Sequence, residues 1–451
     1  MKKLIALLLA LVMVLGLVAC GGSSAPAATE APKADAPAAE APAAAAPAAD
    51  GSVYWLNCTP ESDEALQQIA ALYTSKTGVP VKVVTAASGT YDQTLTAQMD
   101  KSDAPTIFVI GNQAALDNWA DYALDLTGTP IANELATDAY NMYTADGKLG
   151  AIGYCYECFG IITNLELLEK AGYAADYITN FETLKEVAED VHARAAELGF
   201  DAFSSAGMDG SSSWRFTGHL INLDYYYESV DAPDAWKSCP SEIKGTYMDN
   251  YKNLYDLMVI NSATPRADLA NGGFDAASEF ASGKALFYFN GNWEWSGLSE
   301  KGMKAENLSM IPYYCGVEGE EKAGLNCGTE NYWAVNAKAS KADQEATLAF
   351  MKWLVTDPEA SAMAVETFGV MPYKSAAQST NPFLAQANDY LANGCYNMWW
   401  ATNYQPNVDA YRAAVVSALN AYNADPTDAN WEAVVTAFVD GWAVQYKAAN
   451  G

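Results

Sequence analysis

The chain has 451 residues, with 55 acidic against 25 basic side chains, a formal charge of −30, and 51% hydrophobic and 12% aromatic residues. That acid excess excludes an electrostatic grip on nucleic acid or on an anionic lipid surface. The apolar fraction is ample for packed cores, and the length exceeds a single core at about 100–200 residues per domain, so two lobes are expected.

Lys2 and Lys3 precede an apolar run from Leu4 to Leu15. The run is shorter than the ~20 residues a bilayer-spanning helix needs, so residues 1–19 read as a secretory signal. Leu17-Val18-Ala19-Cys20-Gly21 resembles a bacterial lipobox, which implies cleavage before Cys20 and lipid attachment at its sulfur. Loss of Lys2 and Lys3 with the signal takes the charge from −30 to −32. Residues 20–50 are then a lipidated cysteine followed by an Ala- and Pro-rich tether. That composition buries too little apolar surface to order itself and spaces the body at up to ~3.1 Å per residue.

From residue 51 the pattern alternates between strand and helix. Val53-Tyr54-Trp55-Leu56 reads as a short buried strand. Thr59 then serves as a helix cap, with Pro60 at the first helical position and Glu61, Asp63 and Glu64 in the first turn. Leu66, Ile69, Ala70 and Tyr73 form a core-facing stripe that ends at Gly78. A β-rich run from Val79 to Thr85, a helix around Tyr91 to Met99 and a strand from Thr106 to Ile110 follow. This order predicts an α/β lobe with a largely parallel sheet. Further on, Asn180 caps a helix with the stripe Leu184, Val187, Ala188 and Val191 that stops at Gly199. The second half is rich in helix and aromatic clusters.

Apart from Cys20, seven cysteines remain, an odd number, so at least one is outside any intramolecular disulfide. Cys155-Tyr156-Glu157-Cys158 has the spacing of half a zinc site, but there is no second such pair and the only histidines are His192 and His219. Buried free thiols are the plainer reading, and no metal or cofactor is expected. Tyr225-Tyr226-Tyr227 admits paired tyrosinates on ferric iron, although 27 tyrosines make neighbours common by chance.

Several runs, in this order and spacing, resemble the extracellular solute-binding proteins of bacterial ABC importers, the family 1 carbohydrate and maltodextrin-binding type. They are Ala65-Leu66 through Thr77-Gly78-Val79; Tyr91-Asp92-Gln93-Thr94-Leu95 to Asp103-Ala104-Pro105; Asp146-Gly147-Lys148; Ile161-Ile162-Thr163-Asn164 with Leu168-Glu169-Lys170-Ala171-Gly172; Phe181-Glu182-Thr183-Leu184; Gly283-Lys284-Ala285-Leu286 to Gly291-Asn292-Trp293; and Ala346 to Pro358 before Gly369-Val370-Met371-Pro372. The chain departs from the usual pattern at Leu149-Gly150-Ala151-Ile152-Gly153 and at Pro105-Thr106. The resemblance implies an α/β, two-lobed, type II periplasmic-binding-protein-like clamshell with discontinuous lobes. One lobe is expected at 51–157 with 300–358 and the other at 158–299 with 359–451, with a first crossing near Gly153 to Gly160. It further implies a monomer that hands a small solute, a carbohydrate, to the permease subunits of an ABC importer, with the cytoplasmic ATPase engaged indirectly.

Ligands of open α/β sheets bind outside the carboxyl ends of the strands. Asn57, Glu61, Asn112 and Gln113 follow predicted strands, and Glu157 lies in the first crossing. A sugar offers hydroxyls to polar side chains and C–H faces to flat aromatics. Trp214 beside Arg215, Trp293, Trp295 and Trp399 beside Trp400 supply such faces, and the resemblance implies that Trp293 and Glu157 face the ligand. The plainer reading of any one tryptophan is core. Two other classes stay open: a cell-surface glycoside hydrolase using Glu157 with Glu294 as its carboxyl pair, and an adhesive or scaffold lipoprotein.

Overall fold

A computed structural model describes residues 51–450, apart from 88, 139, 211 and 237. The expected signal, Cys20 and the expected tether lie outside the described residues. Two mixed sheets organise the body. The first comprises β1 (Val53–Asn57), β2 (Val81–Thr85), β3 (Ile107–Ile110), β4 (Asn141–Tyr143), β5 (Leu149–Gly153) and β11 (Tyr332–Val335), in the order β2-β1-β3-β11-β5-β4. The second comprises β6 (Glu157–Asn164), β7 (Asp201–Phe203), β8 (Ala285–Gly291), β10 (Ala323–Gly328) and β12 (Tyr396–Trp399), in the order β12-β10-β6-β8-β7, with β9 (Leu308–Ile311) also paired to β6.

In the first sheet β1 pairs in parallel with β2 and β3, and all five of its residues are buried, as a strand covered on both faces requires. The helix Asp63–Thr77 buries the expected stripe of Leu66, Ile69, Ala70 and Tyr73 and ends at Gly78, whose φ of 77° is the left-handed terminus that glycine accepts without a Cβ penalty. Its start differs from the expectation. Pro60–Ser62 form a separate 3₁₀ turn, and the Thr59 hydroxyl bonds Asn57 Oδ1 (2.9 Å) instead of capping the helix. The helix Phe181–Ala193 carries the expected cap, with Asn180 accepting from the Thr183 amide, and buries Leu184, Val187, Ala188 and Val191. It stops at Arg194, and one further turn, Ala195–Leu198, runs on to Gly199.

The chain passes between the sheets at 154–156, at 329–331 and again after Tyr373. The first of these passages lies between β5 and β6, within Gly153 to Gly160. β9 and β10 pair antiparallel with β6, so residues 308–328 belong to the second lobe and not to the first. Conversely, Ala360, Ala364, Val365 and Phe368 of the helix Pro358–Phe368 pack in the first lobe's core, where Phe368 meets the rings of Trp55 (6.2 Å) and Tyr154 (5.2 Å). The second lobe's core is aromatic. The tyrosine run lies in it, with Tyr225 Oη 2.8 Å from Tyr411 Oη and Tyr227 Oη 2.8 Å from Tyr396 Oη. All seven described cysteines are free thiols. Cys155 belongs to the first lobe's core and Cys158 to the second's, so the pair does not share one site.

Candidate functional site

Asn57 ends β1 with its side chain fully buried and every bonding position used. Its amide donates to the Thr59 carbonyl (2.7 Å), Ser62 Oγ (3.1 Å) and Thr85 Oγ1 (3.1 Å), and its oxygen accepts from Thr59. Asn57 therefore ties down the loop that presents Glu61. Glu61 is exposed at its surface, yet burial among surrounding protein atoms raises its pKa. That combination marks a side chain lining a cleft. Asn112 caps the helix Gln113–Trp119 by accepting from the Ala115 amide (2.8 Å), and its own amide reaches across to the Gln405 carbonyl of the second lobe (3.4 Å). Gln113 is engaged within the first lobe, donating to Asp117 (2.9 Å) and to the Tyr143 carbonyl (3.0 Å).

Glu157 opens β6 and is 9% exposed. Its Oε2 accepts from Asn331 Nδ2 (3.2 Å), on the second passage between lobes. Burial, then Glu61, then Glu330 push its pKa up to about 8. Glu330 lies 3.6 Å from Arg412 of the second lobe, and Asn403 donates to the Thr329 carbonyl (2.6 Å). Glu294 accepts from Asn290 Nδ2 (3.0 Å), and burial raises its pKa against the pull of Arg215.

Above these carboxyls the second lobe builds an aromatic platform. Trp214 and Trp293, both half-buried, lie 5.8 Å apart. His219 stacks on Phe159 at 4.2 Å and also meets Trp293 (5.8 Å) and Trp400 (4.9 Å). Arg215 spreads over the rings of Trp214 (5.1 Å) and Tyr288 (5.7 Å). Gly291 lets the Trp293 indole fold back over β8, because a Cβ there would sit 2.2 Å from the ring. Burial, with Arg412 and Arg215 adding to it, lowers the pKa of His219 well below the ordinary value, so the imidazole is neutral.

Of the residues singled out from sequence, the structure sets Glu61 close enough to Glu157 to act on its charge and pairs the rings of Trp214 and Trp293. Trp295 turns the other way and packs edge-on against Phe383 (6.4 Å) in a separate core. Trp399 meets Tyr404 (6.0 Å), and its neighbour Trp400 is the one that reaches the platform. Sequence reasoning missed His219, Phe159, Glu330 and Asn331. His219 sits on a π-helical segment, Arg215–Leu220, whose period breaks the ordinary helical pattern. Glu330 and Asn331 carry no local signal, since only the tertiary passage places them beside Glu157. Among the described residues no group of three His, Cys, Asp or Glu side chains is placed to hold a metal, and no helix is long and apolar enough to cross a membrane. An enclosed space of about 20 Å³ between Phe203, Phe216, Met258 and Phe289 has room for a water or two, not a solute.

Residues 68–393 match the family described as bacterial extracellular solute-binding proteins. No curated protein matches the sequence. Among solved structures, the solute-binding protein RafE in complex with raffinose is 16% identical, covers 89% of this chain and 100% of its own, and superposes with a TM-score of 0.68. A sugar transporter of Bacillus licheniformis in complex with stachyose is 14% identical, with coverages of 87% and 100% and a TM-score of 0.66. A family 1 extracellular solute-binding protein of Bifidobacterium longum subsp. infantis is 16% identical, with coverages of 88% and 100% and a TM-score of 0.61.

Proposed function

Because the chain belongs to the bacterial extracellular solute-binding proteins, we propose that it is the capture component of an ABC importer, anchored through lipidated Cys20, and that it takes a mono- or oligosaccharide into the cleft between its lobes. The observation that carries this reading is the facing of two surfaces. Trp214 and Trp293, backed by the buried His219, offer flat rings on one lobe, while Glu61 from the other lobe, with Glu157 and Glu294, offers acceptors and donors for hydroxyls. A sugar ring has an apolar face for the first and polar edges for the second. Two structural neighbours are named for complexes with raffinose and stachyose, which makes these the first probes. A solute touched by both lobes is held by more contacts when they close, and this difference drives closure and presents one face to the permease.

The test is a thermal-shift screen of the body starting at residue 51 against raffinose, stachyose and maltotriose. Binding to the folded state alone raises stability by RT ln(1 + [L]/Kd), about 2.7 kcal/mol at a hundredfold excess over Kd. Saturable shifts with the sugar recovered intact support capture. Hydrolysis products would move the protein to the glycosidases, and no shift with any sugar would reject a carbohydrate solute.

A further inference from the structure

At the base of the cleft three carboxyl groups converge from different parts of the fold: Glu61 after β1, Glu157 at the start of β6, and Glu330 on the passage into β11. The nearby cations are committed elsewhere. Arg412 lies against Glu330 and gives its Nε to Gln405 Oε1 (2.7 Å). Arg215 lies over Trp214 and Tyr288, with Nη2 3.4 Å from the Tyr288 hydroxyl. Glu157 makes no ion pair among the described residues. Its one side-chain bond comes from Asn331 Nδ2, a neutral donor. The Asn331 amide is oriented by its own Oδ1, which accepts from Tyr154 Oη (3.2 Å) and the Cys58 thiol (3.5 Å). The remaining titratable neighbours of Glu157 are Tyr154, Cys58, Cys155 and Cys158, and burial pushes all four up, so they are neutral.

A nine-tenths-buried carboxylate with no cation and two like charges beside it is costly, whereas the same group carrying a proton is not. We propose that Glu157 meets the solute as a neutral carboxylic acid: Oε2 holds the Asn331 N–H, and Oε1 carries a proton that it donates to an uncharged acceptor oxygen of the solute. This rests on the capture reading and adds a selection rule. The site takes a ring, hydroxyl or carbonyl oxygen at this point, and an ammonium group there would force Glu157 to ionise.

Two measurements test it. Infrared difference spectra of wild type against Glu157→Gln, with no solute, should show a protonated-carboxyl band at pH 7 that is absent from the variant and lost in wild type as pH rises through about 8. Calorimetric titration with the best binder among raffinose, stachyose and maltotriose should show wild-type affinity steady from pH 6 to 8 and about tenfold weaker per pH unit above that. Glu157→Gln, which keeps a donor, should show no such break and should bind more tightly than Glu157→Ala. The proposal is overturned if the acid band is missing at pH 7, or if folded Glu157→Gln binds as weakly as Glu157→Ala. It is equally overturned if a 2-amino sugar outcompetes its hydroxyl counterpart with proton release. Should none of the three sugars bind, the carbohydrate reading falls while the infrared band still decides the state of Glu157.

Discussion

Replacing Trp293 and Trp295 separately by alanine tests the geometry of the cleft with two residues that sit two positions apart in sequence. Trp293 packs its inner face on Phe159 (5.7 Å), Trp214 and His219 and leaves the rest of the ring toward the cleft. Covering one face of an indole removes on the order of 80 Å² from water, worth about 2 kcal/mol at ~25 cal/mol/Å². A central aromatic anchor costs a similar amount when truncated. Two kcal/mol is about a 30-fold loss of affinity, taking a ~1 μM solute to ~30 μM. Trp295 packs on Phe383 outside the platform, so Trp295→Ala should cost roughly 1–3 kcal/mol of stability and leave affinity within about twofold. Calorimetric titration with raffinose or stachyose reads the first effect, and urea melts followed by circular dichroism read the second. If Trp293→Ala binds as wild type does, or if a folded Trp295→Ala loses as much as Trp293→Ala, the platform is not where the solute stacks.

Cys20→Ala should leave the protein unacylated and in the soluble fraction; retention on membranes without acyl mass on the wild type would count against the anchor. Saturating sugar should shrink the radius of gyration of the body starting at residue 51 in small-angle scattering, because Asn112 with Gln405 and Glu330 with Arg412 already bridge the lobes and a shared solute adds to them; an unchanged radius rejects hinged closure. Asp224 is fully buried with Oδ2 unpartnered, and burial, then Glu228, push its pKa up to about 8 against an ordinary 3.8. The unfolded chain gives up this proton near pH 4 and the folded one only near pH 8, so folding stability falls across that window. Asp224→Asn should remove a decline of the order of a few kcal/mol, read by urea melts at pH 5 and pH 8, and an equal decline in both proteins would contradict it.

Local pattern revealed individual helices well in both lobes. The stripe on Asp63–Thr77 and the cap at Asn180 follow from spacing and side-chain chemistry that act within one turn. What it could not reveal was membership. β9 and β10 are short buried strands whose residues suit either sheet, and only their antiparallel pairing with β6 assigns them to the second lobe. The same limit governs the site. Asparagine at a strand end serves equally to face a ligand or to tie a loop, and Asn57 does the latter with every atom it has. Glu157 and Trp293 entered through the family resemblance, and the structure sets Glu157 at the start of β6 and Trp293 just after β8; His219 carried no such signal, because a histidine on a buried helical stretch reads as core.

One strand of the first sheet also dictates when that lobe can exist. β11 lies between β3 and β5, pairing Tyr332–Val335 with Ile107–Ile110 on one side and Tyr332 and Trp333 with Gly153 and Ile152 on the other. Until it is inserted, β2-β1-β3 and β5-β4 are two unconnected half-sheets with open inner edges. The ribosome must therefore finish the whole run from β6 to β10 before the half-sheets can be joined, at the cost of closing a loop of great length. The first lobe's joined sheet, and the tightly packed state built on it, is therefore out of reach while most of the chain is still being made.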